Sequence, residues 1–362
     1  MAVRAVEGEK NISKASSIDE DLRKLLEARQ ADIKVVGVGG AGNNTITRMM
    51  QIGVVGVEVI GINTDAQDLL YTDADHKVLI GKELTKGLGA GADPHIGEES
   101  ARESKEEIKD ALEGADMVFI TCGLGGGTGT GAGPVVAEIS KKIGALTIGV
   151  VTLPFSMEGK SRMDNARIGL ENMEKCVDTL IIVPNDKLLE IIPDASIVTA
   201  FKVSDEVLVN AVKGVAELVT KPGLVNLDFA DIKAVMGSSG LAMIGMGESD
   251  SENRALESVE KALNNPLLDI DIEGATGALI NVAGGIDVSI KECQQIVEAV
   301  SSKLDKDAKV IWGAQIVKEM GDTVRAMIIV TGVKIVPAYG TMKPFTKEKE
   351  KEIGKILGID FV

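Results

Sequence analysis

Short β-branched apolar runs, separated by polar stretches of helical periodicity, set the rhythm of this chain. Runs at 33–38, 57–62, 117–121, 146–152 and 179–183 read as strands. Helical patterns at 96–113, 129–143 and 158–175 lie between them, and a charged helix at 16–31, started at Ser16 or Ser17, leads into the first strand. This alternation predicts an α/β fold, a mostly parallel sheet with helices on both faces. From 197 to 220 the apolar residues Phe201, Leu208, Ala211, Val212, Val215, Leu218 and Val219 recur at three- and four-residue spacing. They predict a long helix with a stripe broad enough for more than one neighbour, stopped by Lys221, Pro222 and Gly223. Strands near 240–247, 276–284, 308–313 and 324–331 then predict a second, α+β domain. The expected division is an N-terminal extension at 1–32, a first domain at 33–196, a connecting helix at 197–221, a second domain at 222–336 and a tail at 337–362.

Composition narrows what such a fold does. The 362 residues carry 55 acidic and 39 basic side chains, a formal net charge of −16, so no broad basic face is expected for nucleic acid or an anionic membrane. One Trp, two Tyr and six Phe are too few for the stacking platforms of a single-strand binder. The only histidines, His76 and His95, leave little room for histidine-based metal or acid–base chemistry, and no protein metal site is predicted. Cys122, Cys176 and Cys293 read as buried small hydrophobes in a reducing compartment. With no signal-peptide core and no apolar run long enough for a bilayer, the expectation is a cytoplasmic protein without direct membrane insertion.

The 41 glycines need a separate explanation. The first strand runs into Gly37-Val38-Gly39-Gly40-Ala41-Gly42-Asn43-Asn44 and then a helix, which fits G-x-G-x-x-G. Glycine amides approach a phosphate closely and the helix dipole favours its charge. A tight turn with no ligand would use the same residues. A dinucleotide site would want an acid at the end of the second strand, yet that strand ends Ile62-Asn63-Thr64-Asp65, with an amide in the expected place. A Walker A loop fails too: Gly159-Lys160-Ser161 has the right ending, but Pro154 stands where the glycine is needed. The strand at 117–121 leads into a second loop, Cys122 to Pro134, with seven glycines and two threonines. Successive glycine amides with threonine hydroxyls make an anion cradle. Two such loops on one sheet point to a nucleoside triphosphate rather than a dinucleotide.

Gly125-Gly126-Gly127-Thr128-Gly129-Thr130-Gly131 resembles the signature loop of the tubulin/FtsZ superfamily in its FtsZ form. Supporting stretches are Asn63 to Gln67, Gly87 to Gly91, Pro154 to Arg162, Pro184 to Leu188 and Asn226 to Asp231, so the resemblance spans about Ile33 to Gly332. It implies a Rossmann-type GTPase domain joined by a long central helix to a smaller α+β domain, in a protein that binds GTP and GDP with Mg²⁺. Such proteins polymerise head to tail into filaments of the cell-division ring. The short tail is closer to archaeal members, since typical bacterial ones carry a long linker before a terminal binding peptide.

The resemblance further implies that Gly40, Ala41, Gly42, Asn43 and Asn44 lie against the nucleotide and that Gly126, Gly127, Thr128, Gly129, Thr130 and Gly131 hold its phosphates. Many relatives have glycine at Ala41, whose methyl is tolerable if φ is negative. Glu158 and Arg162 would face the ribose and phosphate edge, although on the residues alone a helix-start acid and an i, i+4 ion pair on a solvated face is the favoured reading. Asn185 and Asp205 would contact guanine and Phe201 would stack on it; a turn residue and a core aromatic are the plainer alternatives. Asp228 and Asp231 would enter the next subunit's pocket and orient the attacking water, with Asn226 in support and Gln67 near the γ-phosphate, the metal or its water. Capping of a short helix begun at Phe229 would also use Asp228. A non-hydrolysing relative would not need both acids, and an NAD-dependent oxidoreductase would use the first loop alone. In the tail, 347–362 carries Ile353, Ile356, Leu357 and Phe361 for a partner such as a membrane-anchor protein, or for docking on its own domain.

Overall fold

The computed structural model describes residues 31–187, 197–220, 228–237, 240–265, 272 and 275–333. The tail, Asn226 and all but the last residue of the predicted helix at 16–31 lie outside them. Among the described residues a single sheet of ten strands runs through the molecule in the order β3-β2-β1-β4-β5-β6-β7-β10-β8-β9. The strands are β1 Ile33–Val38, β2 Glu58–Asn63, β3 His76–Leu79, β4 Met117–Gly123, β5 Leu146–Leu153, β6 Thr179–Pro184, β7 Gly240–Ser249, β8 Gly277–Gly284, β9 Lys309–Ile316 and β10 Val324–Thr331. From β3 to β7 every pairing is parallel. On either side of β10 the pairing is antiparallel.

Every residue of β1 is buried, as expected for a central parallel strand covered on both faces. Alternate residues serve opposite cores. Val36 and Val38 pack with Val135, Val136 and Ile139 of α6 Thr128–Lys142 on one face. Ile33 and Val35 join Ile46 and Met49 of α1 Gly39–Ile52 on the other. That second core also takes Leu208, Val212 and Val215 of α8 Ile197–Thr220, together with Ile181 of β6 and Leu279 and Ile329 of β8 and β10. The long helix therefore serves both halves of the sheet, which is why its stripe is so wide. Where the halves meet, only Thr179 to Ile181 of β6 pair with Gly240 to Ala242 of β7.

Two expectations change. The stretch at 96–113 is two helices, α4 Pro94–Glu103 and α5 Lys105–Leu112, broken at Ser104, where ψ is +30°. Ser104 Oγ accepts the Gly81 amide at 3.2 Å, a tertiary bond that the periodicity of the stretch cannot report. The four-residue edge strand β3 went unpredicted because only its second half is even partly covered, leaving little apolar pattern. The remaining described helices are α2 Ala66–Tyr71, α3 Lys82–Thr85, α7 Lys160–Cys176, α9 Phe229–Met236, α10 Arg254–Leu263 and α11 Ile290–Ser301.

One ion-pair cluster ties the last two helices together. Arg254 Nε lies 2.6 Å from Glu292 Oε1, and its Nη1 lies 2.9 Å from Asp287 Oδ2. Glu292 also accepts the Ser289 amide at 2.8 Å, completing a cap on α11. The Arg254 guanidinium is the largest influence holding the Glu292 carboxyl down, to about 2 from an ordinary 4.5. A carboxylate with a depressed folded pKa contributes stability that is complete above its unfolded pKa and is lost as pH falls through the folded one. Stability should therefore decline between about pH 4.5 and 2, and Glu292→Gln should flatten that limb in acid denaturation followed by circular dichroism.

Candidate functional site

The carboxyl ends of β1, β4, β5 and β6 open onto one cleft of about 240 Å³, bordered by the starts of α1 and α6 and by α8. This is where an open parallel sheet places a ligand. The end of the cleft at the two glycine loops is built from main chain. Gly39, at φ +72°, lies so close to the second loop that a Cβ there would come within 2.9 Å of the Gly129 nitrogen. A Cβ on Gly127 would come within 2.9 Å of the Asp93 nitrogen, whereas one on Gly126 would meet nothing within 4 Å. Gly127 is thus held by the segment behind it, while Gly126 faces open space. Thr128 Oγ1 is 2.7 Å from Thr64 Oγ1, tying the second loop to the end of β2.

The expected phosphate residues separate into two sets. Gly40, Ala41, Gly126, Gly127, Thr128 and Gly129 line the cleft. Ala41 is not among the residues with positive φ, so its methyl is unstrained. Thr130 instead braces the loop from below, its Oγ1 accepting the Gly125 amide at 2.9 Å. Gly42 presses on β4, where a Cβ would strike the Thr121 carbonyl. Asn43 is 1% exposed and donates to Asp68 Oδ2 at 3.4 Å, and Asn44 is exposed on α1 outside the cleft lining. Gly131 lies outside the cleft lining and packs against α4: a Cβ there would collide with the Pro94 carbonyl and lie 2.6 Å from the Glu98 nitrogen of α4. Helix α4 can approach α6 only because this side chain is missing.

At the other end of the cleft, Asn185 follows β6, and Phe201, Ser204 and Asp205 project from α8. Phe201 is 43% exposed, which excludes the core-aromatic alternative; its ring meets Phe155 edge-on at 5.2 Å. Thr45 Oγ1 donates to Asp205 Oδ1 at 3.3 Å. Burial pushes the Asp205 carboxyl up to about 6, with the Thr45 bond and Arg48 opposing and Glu206 adding to the rise. On the third side, Arg162 Nη1 pairs with Glu158 Oε2 at 2.6 Å, and Glu158 Oε1 accepts the Phe155 amide at 2.9 Å. Both side chains border the cleft, so the ion pair and the expected position coexist.

The acidic pair lies elsewhere. Asp228 precedes α9 and Asp231 sits in its first turn, both exposed. The Asp228 amide donates to Asp231 Oδ2 at 3.3 Å. Helix α9 packs against β8 and β9, at the opposite end of the sheet from β1 and β4, and neither acid lines this chain's own cleft. Gln67 is exposed on α2 outside the lining, its amide donating to Asp65 Oδ1 at 2.9 Å. Sequence reasoning missed Ser204, Thr45 and Thr64, for which no motif gives a signal. A larger cavity of about 670 Å³ lies between α4, α6 and α7. It has no run of glycine amides, and its Arg102 is already bonded to Glu98 at 2.8 Å, so size does not mark the phosphate site.

A parallel sheet whose strand ends carry two glycine loops, with a carboxylate, an amide and an aromatic ring across the same cleft, defines a nucleotide-binding protein. The chain matches the model of the Tubulin/FtsZ family, GTPase domain, over residues 32–193, and that of the FtsZ family, C-terminal domain, over 240–334. It is 62% identical to cell division protein FtsZ 1 of Thermococcus kodakarensis, across 93% of this chain and 88% of that protein. The empty FtsZ dimer of M. jannaschii superposes with a TM-score of 0.85 at 61% identity, covering 88% of this chain and 93% of that one. GDP-bound CetZ1 from Haloferax volcanii gives 0.75 at 25% identity, covering 90% and 99%. The chain belongs to the FtsZ family. It is a GTPase and a cytoskeletal cell-division protein, and nothing supports the oxidoreductase alternative.

Two outcomes follow from this geometry. An acid whose folded pKa is raised destabilises the fold above its unfolded pKa, fully so once pH exceeds the folded value. Asp205→Asn should therefore stabilise the ligand-free protein at pH 7 by about 1–2 kcal/mol, after allowance for solvent screening, and have little effect below pH 4, measured by urea unfolding. Gly131→Ala should destabilise by about 1–3 kcal/mol in the same assay, through overpacking against α4.

Proposed function

We propose that GTP lies along this cleft with its phosphates on the amides of Gly40, Gly126, Gly127 and Gly129, its ribose edge towards Glu158 and Arg162, and its base between Phe201, Asn185 and Asp205. The observation that carries this reading is the single continuous lining, from the two glycine loops to Asp205. Backbone amides supply most of the anion binding, which needs no lysine and is compatible with a net charge of −16. A carboxylate accepts two N–H donors from the guanine edge, and adenine presents a different pattern there.

Mg²⁺ fits the donors present. A hydrated ion bound mainly through phosphate oxygens would need few protein ligands. Asp68, whose Oδ2 lies 3.7 Å from where Gly40 would carry a Cβ, and Gln67 are the side chains that would meet its waters. The ion would neutralise charge between the β- and γ-oxygens.

The hydrolytic site is shared between subunits in this reading. Asp228 and Asp231, exposed and remote from their own cleft, enter the cleft of the next subunit in a head-to-tail filament and orient the attacking water. Asn226, outside the described residues, belongs to the same loop. Hydrolysis then depends on assembly, and assembly at the division site, with the tail reaching a membrane-anchor partner, is the cellular role we assign. No described helix is long and apolar enough to cross a membrane.

Asp231→Ala should bind GTP normally but release phosphate about 10²-fold more slowly or worse. A Gly126 variant unable to bind nucleotide, mixed with Asp231→Ala, should recover part of the activity, because each subunit supplies what the other lacks. Normal phosphate release by Asp231→Ala, or no recovery in mixtures that pellet together, would remove the shared site.

A further inference from the structure

Phe155 is fully buried, yet among the described residues it belongs to neither of the two apolar cores that the sheet separates. Phe119, also fully buried, sits on β4 within the second of them. The ring that Phe155 meets is that of Phe201, with 5.2 Å between centroids and 86° between planes. This is the edge-to-face arrangement that aromatic quadrupoles favour. Phe201 lines the cleft and Phe155 does not, so one ring stands behind the other.

The backbone that carries Phe155 is pinned on both sides of the ring. The Phe155 amide donates to Glu158 Oε1 at 2.9 Å, and Glu158 Oε2 takes Arg162 Nη1 of α7 at 2.6 Å. One residue further on, the Ser156 amide donates to Asp186 Oδ1 at 2.9 Å, and the Ser156 hydroxyl bonds to Asp186 Oδ2. Asp186 directly follows Asn185 at the end of β6. Phe155 therefore has a fixed seat, tied to α7 and to β6. Phe201, by contrast, projects from α8 with 43% of its surface open. An exposed ring that is free to change rotamer loses that freedom when a ligand settles on it, at a cost in affinity. A ring already braced from behind has less to lose.

We propose that Phe155 is a positioning residue for nucleotide binding: seated behind the cleft wall, it holds the Phe201 ring in the orientation on which the base stacks. Either purine would gain from this, so the effect is on affinity and not on the choice of base. The inference rests on Phe201 being the stacking residue.

The test is a double-mutant cycle on the full chain, with GDP affinity measured by isothermal titration calorimetry. Phe155→Leu and Phe155→Met each keep a large apolar side chain but remove the ring. Both should weaken GDP about 3- to 10-fold. In a Phe201→Ala background either should change the affinity by less than about twofold, because the ring it braces is gone. In phosphate release at one protein concentration, the half-saturating GTP concentration should rise by the same factor. Turnover at saturating GTP should stay within about twofold of the parent, since the base is remote from the reacting phosphate. Melting of each ligand-free variant separates a lost brace from a lost fold. Unchanged GDP affinity in the folded Phe155 variants, or equal weakening in both backgrounds, would overturn the role of Phe155 alone. Unchanged affinity in Phe201→Ala would overturn the stacking assignment beneath it.

Discussion

Main chain meeting main chain, with no side chain between, is the constraint on which the rest of this molecule depends. Gly39 faces Gly129 across the two strand ends, Gly127 rests on the segment that ends at Asp93, and Gly97 of α4 comes up against Gly127 from behind. Each approach is closer than a Cβ allows. Because the loops interlock in this way, their amides are held in one arrangement before any nucleotide arrives. Such preorganisation is what makes backbone cradles effective despite the conformational entropy that glycine loses on ordering.

The base end is built on the opposite principle. There the groups are side chains, several of them buried, and each polar atom must be oriented by another. Burial of Asp205 raises its carboxyl to about 6, a destabilising choice in a ligand-free protein and a sensible one where a charged acceptor is to meet two N–H donors. Thr45 on α1 lies within hydrogen-bond distance of Asp205 and of the Ala41 carbonyl, and Ser204 on α8 bonds to Asn185. These two helices also pack into the same apolar core, so the base pocket inherits its rigidity from the packing beneath it. The same helix α8 reaches β8 and β10, which connects the pocket mechanically to the half of the sheet that carries α9 and its two acids.

Much of this was legible from the chain. The five parallel strands of the first half, the long helix and the cleft-lining glycines follow from hydrophobic period and loop composition, because a buried strand and a phosphate loop each leave a local mark. Ser104, Gly131 and Ser204 left none. Ser104 breaks a helix through a bond to Gly81, Gly131 admits α4 and Ser204 bonds to an amide 19 residues away in sequence. In each case the partner is distant along the chain, and the residue type has several uses that only the partner distinguishes. A glycine at the end of a phosphate loop and one at a helix crossing look the same in a sequence.

By itself, then, the sequence determined the family, most of the strand and helix order and the GTPase activity. Element order depends on hydrophobic spacing within short windows, where backbone geometry allows few alternatives, and the family on the resemblance carried by the second glycine loop and its supporting stretches. Tertiary structure decided which glycines touch the cleft and which serve packing. It also turned Phe201 outward and raised the Asp205 pKa. These properties come from desolvation and from contacts between distant segments, and both exist only once the chain has closed on itself.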